Sequence, residues 1–194
     1  MGIVLASKSP RRKELLSLLG VDFKLATADV DETINIKLPV IDEIKRLSLD
    51  KAEAVRAQAA KNDLIIAADT VVALGNCVFG KPQDNAQARE MLKRLSGKTH
   101  RVITGVTVLC GDMVDTRAAV TEVTFRELSD TEIEAYIKTG DPFDKAGAYA
   151  LQGISSIFVS GISGDHFNVY GLPLAMLADM LRNFGVRILG EKYA

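Results

Sequence analysis

The stretch that decides the fold is LIIAADTVVAL, residues 64–74 of this 194-residue chain. Its apolar runs are too short for helices and lack the alternation of a half-exposed strand, so they predict a strand covered on both faces. The pair Asp69-Thr70 interrupts these runs. A buried carboxylate is costly unless it is hydrogen-bonded, ion-paired or bound to a metal. We therefore interpret Asp69 as a functional residue rather than one satisfied in a turn.

Strands and helices alternate on both sides of this stretch. Before it, the predicted elements are a strand at residues 3–6, a helix from Pro10 to Gly20, a strand at 23–26 and a helix over 41–60. After it, they are a strand at 77–79, a helix capped by Asp84, a hairpin of 101–109 and 114–125, a helix opened by Ser129, strands at 157–160 and 166–169, and a helix over 172–184. In the first helix we expect four leucines to face the core, Leu15, Leu16, Leu18 and Leu19. The order of elements predicts an α/β fold.

The composition is that of an ordinary globular protein. With 24 Lys and Arg against 25 Asp and Glu, the formal net charge is −1, and 47% of the residues are hydrophobic. These values exclude a disordered chain, a collagen and a coiled coil, and they argue against a dedicated nucleic-acid binder. A chain of this length can bury a core as one unit, so we expect a single domain over residues 1–194.

Two features of the sequence indicate where in the cell the protein acts: its cysteines and its first apolar run. Cys77 and Cys110 lie far apart without CxxC spacing, which predicts neither a disulfide framework nor a zinc site. The apolar run at residues 1–6 is too short for a signal sequence or a membrane span. We therefore expect a cytoplasmic protein without a membrane partner.

Two further segments could carry chemistry. Ser9-Pro10-Arg11-Arg12 opens a helix, where free amides, the helix dipole and two guanidinium groups favour an anion such as phosphate. A capped surface helix with solvated arginines explains the same residues slightly better. Residues 144–149, DKAGAY, with Gln152-Gly153 have no clear periodicity and predict either a binding wall or an irregular connection.

Taken together, these features suit phosphate chemistry assisted by a divalent metal. One or two carboxylates would hold Mg²⁺ or Mn²⁺ while substrate phosphates complete the coordination shell. The sequence has neither GxxxxGK[ST] nor a GxGxxG after a strand, which excludes a P-loop NTPase and a dinucleotide-binding fingerprint. His100 and His166 have no partners that mark a catalytic triad.

Five motifs in order resemble the Maf family of nucleoside triphosphate pyrophosphatases, which is named for septum-formation defects on overexpression. They are LASKSPRRKELL at residues 5–16, ADT at 68–70, GKP at 80–82, DKAGAY at 144–149 with QG at 152–153, and GLP at 171–173. The resemblance covers nearly the whole chain. It implies an elongated mixed-sheet α/β fold, similar to the inosine triphosphate pyrophosphatases, with two lobes around a central cleft. It also implies metal-dependent hydrolysis between the α- and β-phosphates of a nucleoside triphosphate.

The resemblance assigns roles to particular residues. Asp69 matches the proton acceptor, and Glu32 matches an acidic position that would hold the metal with Asp69. The positions matching the triphosphate site are Ser9, Arg11, Lys51 and Lys81. Gly80 stands where some members carry a Glu, so Glu32 or water must complete the metal shell here.

Three positions distinguish the subfamilies, and here they are Arg12, Thr70 and Gln152. This combination resembles the branch acting on dTTP and UTP, with modified pyrimidine nucleotides as further candidates. A 7-methyl-GTP pyrophosphatase stays open as an alternative substrate assignment. So does a non-catalytic nucleotide sensor that regulates cell division. A homodimer is also left open.

Overall fold

The computed structural model describes residues 1–189 and has a mixed α/β architecture. In this range seven strands form one mixed sheet: β1 (Ile3–Ala6), β2 (Lys24–Ala26), β3 (Leu64–Leu74), β4 (Cys77–Phe79), β5 (Thr99–Cys110), β6 (Met113–Phe125) and β7 (Val159–Ser163). The α-helices described are α1 (Pro10–Ser17), α2 (Val40–Ala54), α3 (Asn85–Leu95), α4 (Asp130–Lys138), α5 (His166–Val169) and α6 (Leu174–Asn183). Short 3₁₀ helices cover Arg56–Gln58, Asp141–Asp144, Ala146–Ala148 and Ile154–Phe158. No helix in the described range is long and apolar enough to span a membrane.

The strand order is β2-β1-β3-β5-β6-β7, and β4 pairs with β3. β1 runs parallel to β2 and β3, whereas β4 is antiparallel to β3 and β7 is antiparallel to β6. The chain divides into two compact units. The first unit contains residues 1–69, 104–119 and the described residues from Gly171 onward, and the second contains residues 70–103 and 120–170.

The core of the first unit forms where α2 packs on the sheet. Buried apolar side chains of β1, β3, β5, α2 and the residue after α2 form one cluster: Val4, Ala6, Ala52, Val55, Ile65, Ala67 and Leu109. α2 lies very close to β5: a Cβ placed on Gly105 of β5 would be only 2.4 Å from the carbonyl oxygen of Ile44 in α2. Only glycine permits this approach. This close packing against β5 fixes the position of α2, the helix that carries Lys51.

Aromatic rings dominate the core of the second unit. Phe125 packs edge-on against Tyr149 at 4.6 Å between centroids, and Tyr136 packs edge-on against Phe158 at 5.1 Å. Such edge-to-face pairs add to the gain from burial. α3 and α4 cover this core, and each has the predicted cap: Asp84 accepts from the Gln87 amide, and Ser129 with Glu132 forms a capping box.

The predicted α/β fold is confirmed, and β3 is one unbroken strand through Asp69-Thr70. Four local predictions are wrong. Leu18 is 67% exposed, because α1 ends at Ser17 and the chain turns away at Gly20 with φ +67°. The second helix ends at Ala54 instead of 60, because the chain tightens into a 3₁₀ turn in which Arg56 binds the carbonyl of Gly111 at 2.6 Å.

The third wrong prediction concerns residues 166–169, which form the short helix α5 and not a strand. Asp165 caps this helix by accepting from the Phe167 amide at 2.8 Å. Asn168 is fully buried and donates to the carbonyl of Val102 and to Thr121 Oγ1, both at 3.0 Å. These long-range bonds hold the helical turn, and four residues are too few to show a helical period in sequence. Ile157, also predicted in a strand, lies in the last 3₁₀ helix before β7.

The buried His100 predicts an acid-sensitive fold. Its Nε2 lies 2.7 Å from the hydroxyl of Tyr149, and burial lowers the pKa of His100 to about 4 from an ordinary 6.5. Between these values the unfolded chain binds a proton that the folded protein does not, so lowering the pH destabilises the fold. We expect a loss on the order of 2 kcal/mol from this residue between about pH 7 and about pH 4.5.

Urea denaturation at the two pH values measures this loss. His100→Gln should show a smaller pH dependence than the wild type, because the amide does not titrate. The control His166→Gln makes the same substitution at an exposed histidine. Equal pH dependence in all three proteins would contradict the assignment to His100.

Candidate active site

The candidate site begins at Asp69, in the middle of strand β3. Asp69 is only 8% exposed, and its Oδ1 accepts a hydrogen bond from the ammonium of Lys51. Lys51 lies in the last turn of α2, and its Nζ is also 2.7 Å from Oε1 of Glu32. One lysine therefore joins two carboxylates, which satisfies the charge that the sequence places inside an apolar strand.

The loop before α2 brings Glu32 to this lysine. Glu43 and Arg46 hold the loop: Glu43 Oε2 accepts from the Asn35 amide at 2.8 Å, and Arg46 donates to the carbonyl of Thr33 at 3.0 Å. Arg46 also binds Glu43, and hydrogen bonds from Arg46 and the Asn35 amide lower the pKa of Glu43. Sequence reasoning missed these two anchors, although their i,i+3 spacing on a helix is a visible ion-pair signal.

Helix α1 supplies two further cations, Arg11 and Arg12. Ser9 is the predicted N-cap, and its Oγ accepts from the Arg12 amide at 3.5 Å. Arg12 Nε donates to the carbonyl of Gly171 at 2.8 Å. Burial lowers the pKa of Arg12, while the charges of Asp69 and Glu32 raise it. Arg12 therefore lies in the same electrostatic neighbourhood as the two carboxylates.

Arg11 belongs to this neighbourhood too, because its charge adds to the lowering of the Arg12 pKa. In the first unit, three cations thus accompany two carboxylates: Arg11, Arg12, Lys51, Glu32 and Asp69. The positive end of the α1 dipole adds a further preference for anions. The arrangement suits a polyanion that carries a divalent cation.

The other predicted site residues lie in the second unit. Thr70 follows Asp69 in β3 and is half-buried, Lys81 is exposed in the loop after β4, and Gln152 is exposed before the last 3₁₀ helix. The amide of Gly147 donates to the carbonyl of Gly80 at 3.0 Å. The DKAGAY segment is therefore joined to the loop that carries Lys81.

Comparison with known proteins identifies the family of the chain. A family model described as Maf-like protein matches residues 2–184. Proteins named dTTP/UTP pyrophosphatase from Bacillus cereus and Bacillus anthracis are each 46% identical over 186 residues, which cover 96% of this chain and 91% and 97% of those proteins. The chain belongs to the Maf family.

A solved structure shares the fold of this Maf-family chain. The Ham1 protein of Staphylococcus aureus matches with a TM-score of 0.55 and 15% sequence identity, over 95% of this chain and 100% of its own. At this identity, the likeness shows the fold alone.

The residues present fit a hard divalent cation that shares its ligands with a substrate. Glu32 and Asp69 offer carboxylate oxygens, the donors that Mg²⁺ and Mn²⁺ prefer. Within residues 1–189, no cluster of three or more His, Cys, Asp or Glu side chains could enclose a metal. Magnesium is commonly bound by one or two carboxylates together with substrate phosphates. Glu32 and Asp69 match that donor set.

The ion pair between Lys51 and Asp69 leads to a prediction about the stability of the fold. The side chains of Lys51 and Asp69 are 14% and 12% exposed, so removing the ammonium leaves a largely buried carboxylate uncompensated. We expect Lys51→Met to lower the free energy of unfolding by about 3 kcal/mol, measured by urea denaturation at neutral pH. The matched control is Lys45→Met on the same helix, which should have a small effect.

A double variant shows whether the uncompensated Asp69 carboxylate causes this loss of stability. Lys51→Met with Asp69→Asn should recover much of the lost stability, because no uncompensated charge is left in the strand. If the double variant were as unstable as the sum of the single variants, the two side chains would not be energetically coupled.

Proposed function

We propose that this Maf-family protein is a nucleoside triphosphate pyrophosphatase that hydrolyses dTTP and UTP. The products are the nucleoside monophosphate and pyrophosphate, and modified pyrimidine nucleotides are further candidate substrates. The observation that carries the proposal is the buried Asp69, ion-paired with Lys51 beside Arg11 and Arg12. The 46% identity to dTTP/UTP pyrophosphatases over 96% of the chain supports the same substrates.

The chemistry requires a base and a cationic pocket. Hydrolysis adds water across the α–β phosphoanhydride: the water oxygen bonds to phosphorus, the bond to the bridging oxygen breaks, and pyrophosphate leaves. We assign Asp69 as the group that takes the proton from this water. The Lys51 ammonium donates to Oδ1 of Asp69 and so orients the carboxylate, leaving Oδ2 for the water.

The cations bind the triphosphate. Guanidinium groups match phosphate oxygens in paired hydrogen bonds, so we assign Arg11 to the phosphates, together with Lys51. Ser9 contributes by capping α1, which fixes the start of the helix whose dipole favours the same anion. Lys81 is assigned to the phosphates from its GKP motif.

We propose that Glu32 and Asp69 hold Mg²⁺ or Mn²⁺ together with the nucleotide phosphates. When bound, the divalent cation polarises phosphoryl oxygens and neutralises the charge that develops on the leaving pyrophosphate. Lys51 and the metal would both neutralise these carboxylates, so the lysine keeps Asp69 compensated before substrate arrives.

Base selection is assigned to Arg12, Thr70 and Gln152. The Gln152 amide offers both a donor and an acceptor, as does the Thr70 hydroxyl, which suits the edge of a uracil or thymine ring. A site built to hydrogen-bond one base edge leaves its polar groups unpaired with the wrong base, and this produces discrimination.

The proposal also covers the domain organisation, the class of substrate and the cellular location of the enzyme. The family model spans residues 2–184, which supports a single functional domain over residues 1–194. The near-neutral charge supports a small-molecule substrate instead of nucleic acid. Cys77 and Cys110 are both free thiols, which supports a cytoplasmic enzyme.

A nucleotide panel tests the proposed function. dTTP, UTP, dATP, dGTP and 7-methyl-GTP are incubated at equal concentration with the protein and Mg²⁺ or Mn²⁺, and the released pyrophosphate is measured. We expect turnover with dTTP and UTP well above the others. Preference for 7-methyl-GTP would overturn the substrate assignment, and nucleotide binding without pyrophosphate release would support a sensor instead of an enzyme.

Asp69→Asn should fold and lose most turnover. General-base catalysis contributes on the order of 10²–10⁴-fold, so kcat should fall by that factor while nucleotide binding is retained. The control is Asp115→Asn, which also removes an ion-paired carboxylate from a strand and should keep kcat near the wild-type value. Near-normal turnover by folded Asp69→Asn would rule out Asp69 as the base.

Gln152→Glu should reduce the use of pyrimidine nucleotides. The change replaces an amide donor by a carboxylate that only accepts, so we expect kcat/KM for dTTP to fall by about tenfold or more. Gln87→Glu on α3 makes the same change of charge at an exposed position and serves as the control. An unchanged ratio of dTTP to 7-methyl-GTP turnover in Gln152→Glu would remove Gln152 from base recognition.

A further inference from the structure

Lys145 is a buried lysine in the second unit, and the reaction proposed above does not use it. It is 7% exposed, and its ammonium donates three hydrogen bonds: to the carbonyl of Asp141 at 2.6 Å, to Asp141 Oδ1 at 3.0 Å and to Asp144 Oδ1 at 2.6 Å. Burying a lysine is unfavourable unless its charge is paired and its donors are satisfied. Here both conditions are met within five consecutive residues.

Asp141 connects this lysine to the segment that contains Gln152. Its Oδ2 accepts from the hydroxyl of Tyr136 on α4 at 3.0 Å, while Oδ1 binds Lys145. The same Oδ2 would lie 3.9 Å from a Cβ placed on Gly153, the residue after Gln152. The Asp141 carboxylate therefore lies near Gly153, the neighbour of the proposed specificity residue.

Ser155 closes the same segment from the other side. It is fully buried, its Oγ accepts from the Ala150 amide at 3.1 Å, and it donates to the Ala150 carbonyl at 3.0 Å. Residues 150–155 thus form a closed loop whose two ends are joined to each other, and within it Gly153 lies near the Asp141 carboxylate that binds Lys145.

The chain after Lys145 is held just as closely. Ala148 has a left-handed backbone with φ +65°, which is unfavourable for a residue with a side chain and persists only where its surroundings enforce it. Its amide donates to the carbonyl of Lys145 at 3.1 Å, and the Gly147 amide binds Gly80, next to Lys81. The backbone that leaves Lys145 therefore contacts the loop of a proposed phosphate-binding residue.

We propose that Lys145 is a positioning residue: by neutralising Asp141 and Asp144 it holds residues 141–155 in one conformation, and thereby places Gln152 for base recognition. Lys145 acts through Gln152 and does not touch the substrate. This inference rests on the proposed function for its effect on selectivity. Its effect on the order of the 150–155 loop does not depend on that function.

Two variants test the proposal, with a control on the same unit. Lys145→Met keeps the length of the side chain but removes the charge, and Ser155→Ala opens the loop without altering any charge. Lys138→Met removes an exposed lysine at the end of α4 and is the control. Thermal unfolding first shows that each variant is folded.

The first readout is hydrogen exchange of the amides of residues 150–155. Lys145→Met and Ser155→Ala should both exchange these amides faster than the wild type and Lys138→Met, with smaller changes in α3. The second readout is the ratio of kcat/KM for dTTP to that for 7-methyl-GTP. Because small misplacement of a positioning group is costly, this ratio should fall by about tenfold in both variants.

The results separate the two proposals. Unchanged loop exchange and an unchanged nucleotide ratio in folded Lys145→Met and Ser155→Ala would overturn the positioning role, even if both variants were less stable. If the wild type turned over neither dTTP nor UTP, the proposed function would fail. The exchange rates would then still decide whether Lys145 and Ser155 hold the 150–155 loop.

Discussion

The rest of the site depends on the ion pair between Lys51 and Asp69. Strand β3 is buried almost throughout, and a carboxylate there needs a charged partner. Lys51 reaches it from the end of α2 and binds Glu32 as well, so the helix, the strand and the loop before the helix meet at one ammonium. The close approach of α2 to Gly105 gives the helix the position that this contact requires.

Each compact unit places a lysine between two acidic residues: Lys51 is partly buried and Lys145 is buried. In the first unit, Lys51 joins carboxylates that are distant in sequence, at positions 32 and 69. In the second, Lys145 joins Asp141 and Asp144, which are its near neighbours. The first arrangement brings together the carboxylates of the candidate active site. The second holds residues 141–155 in one conformation. The difference follows from the separation of the partners, since a long-range pair orders tertiary structure and a local one orders a loop.

Much of the fold could be predicted from sequence, because local chemistry decides it. Ser9, Asp84 and Ser129 cap helices as their residue types predict, and the apolar run at residues 64–74 is a buried strand. The helix at His166–Val169 could not be predicted, because distant partners of Asn168 hold it. The partners of Asp69 could not be predicted either: the family resemblance singles out Asp69 and Lys51, but only the packing of α2 brings them together. The ion pair between Glu43 and Arg46, by contrast, could be predicted from the i,i+3 spacing of the two residues on α2.

The most direct measurement of the central claim is the identity of the products made by the wild-type protein. ³¹P NMR of dTTP incubated with the protein and Mg²⁺ follows every phosphorus of the substrate at once. Cleavage at the α–β phosphoanhydride, as the site around Asp69 and Lys51 predicts, gives dTMP and pyrophosphate in equal amounts. Formation of dTDP and inorganic phosphate, or dTTP that persists unchanged with either Mg²⁺ or Mn²⁺, would contradict the account.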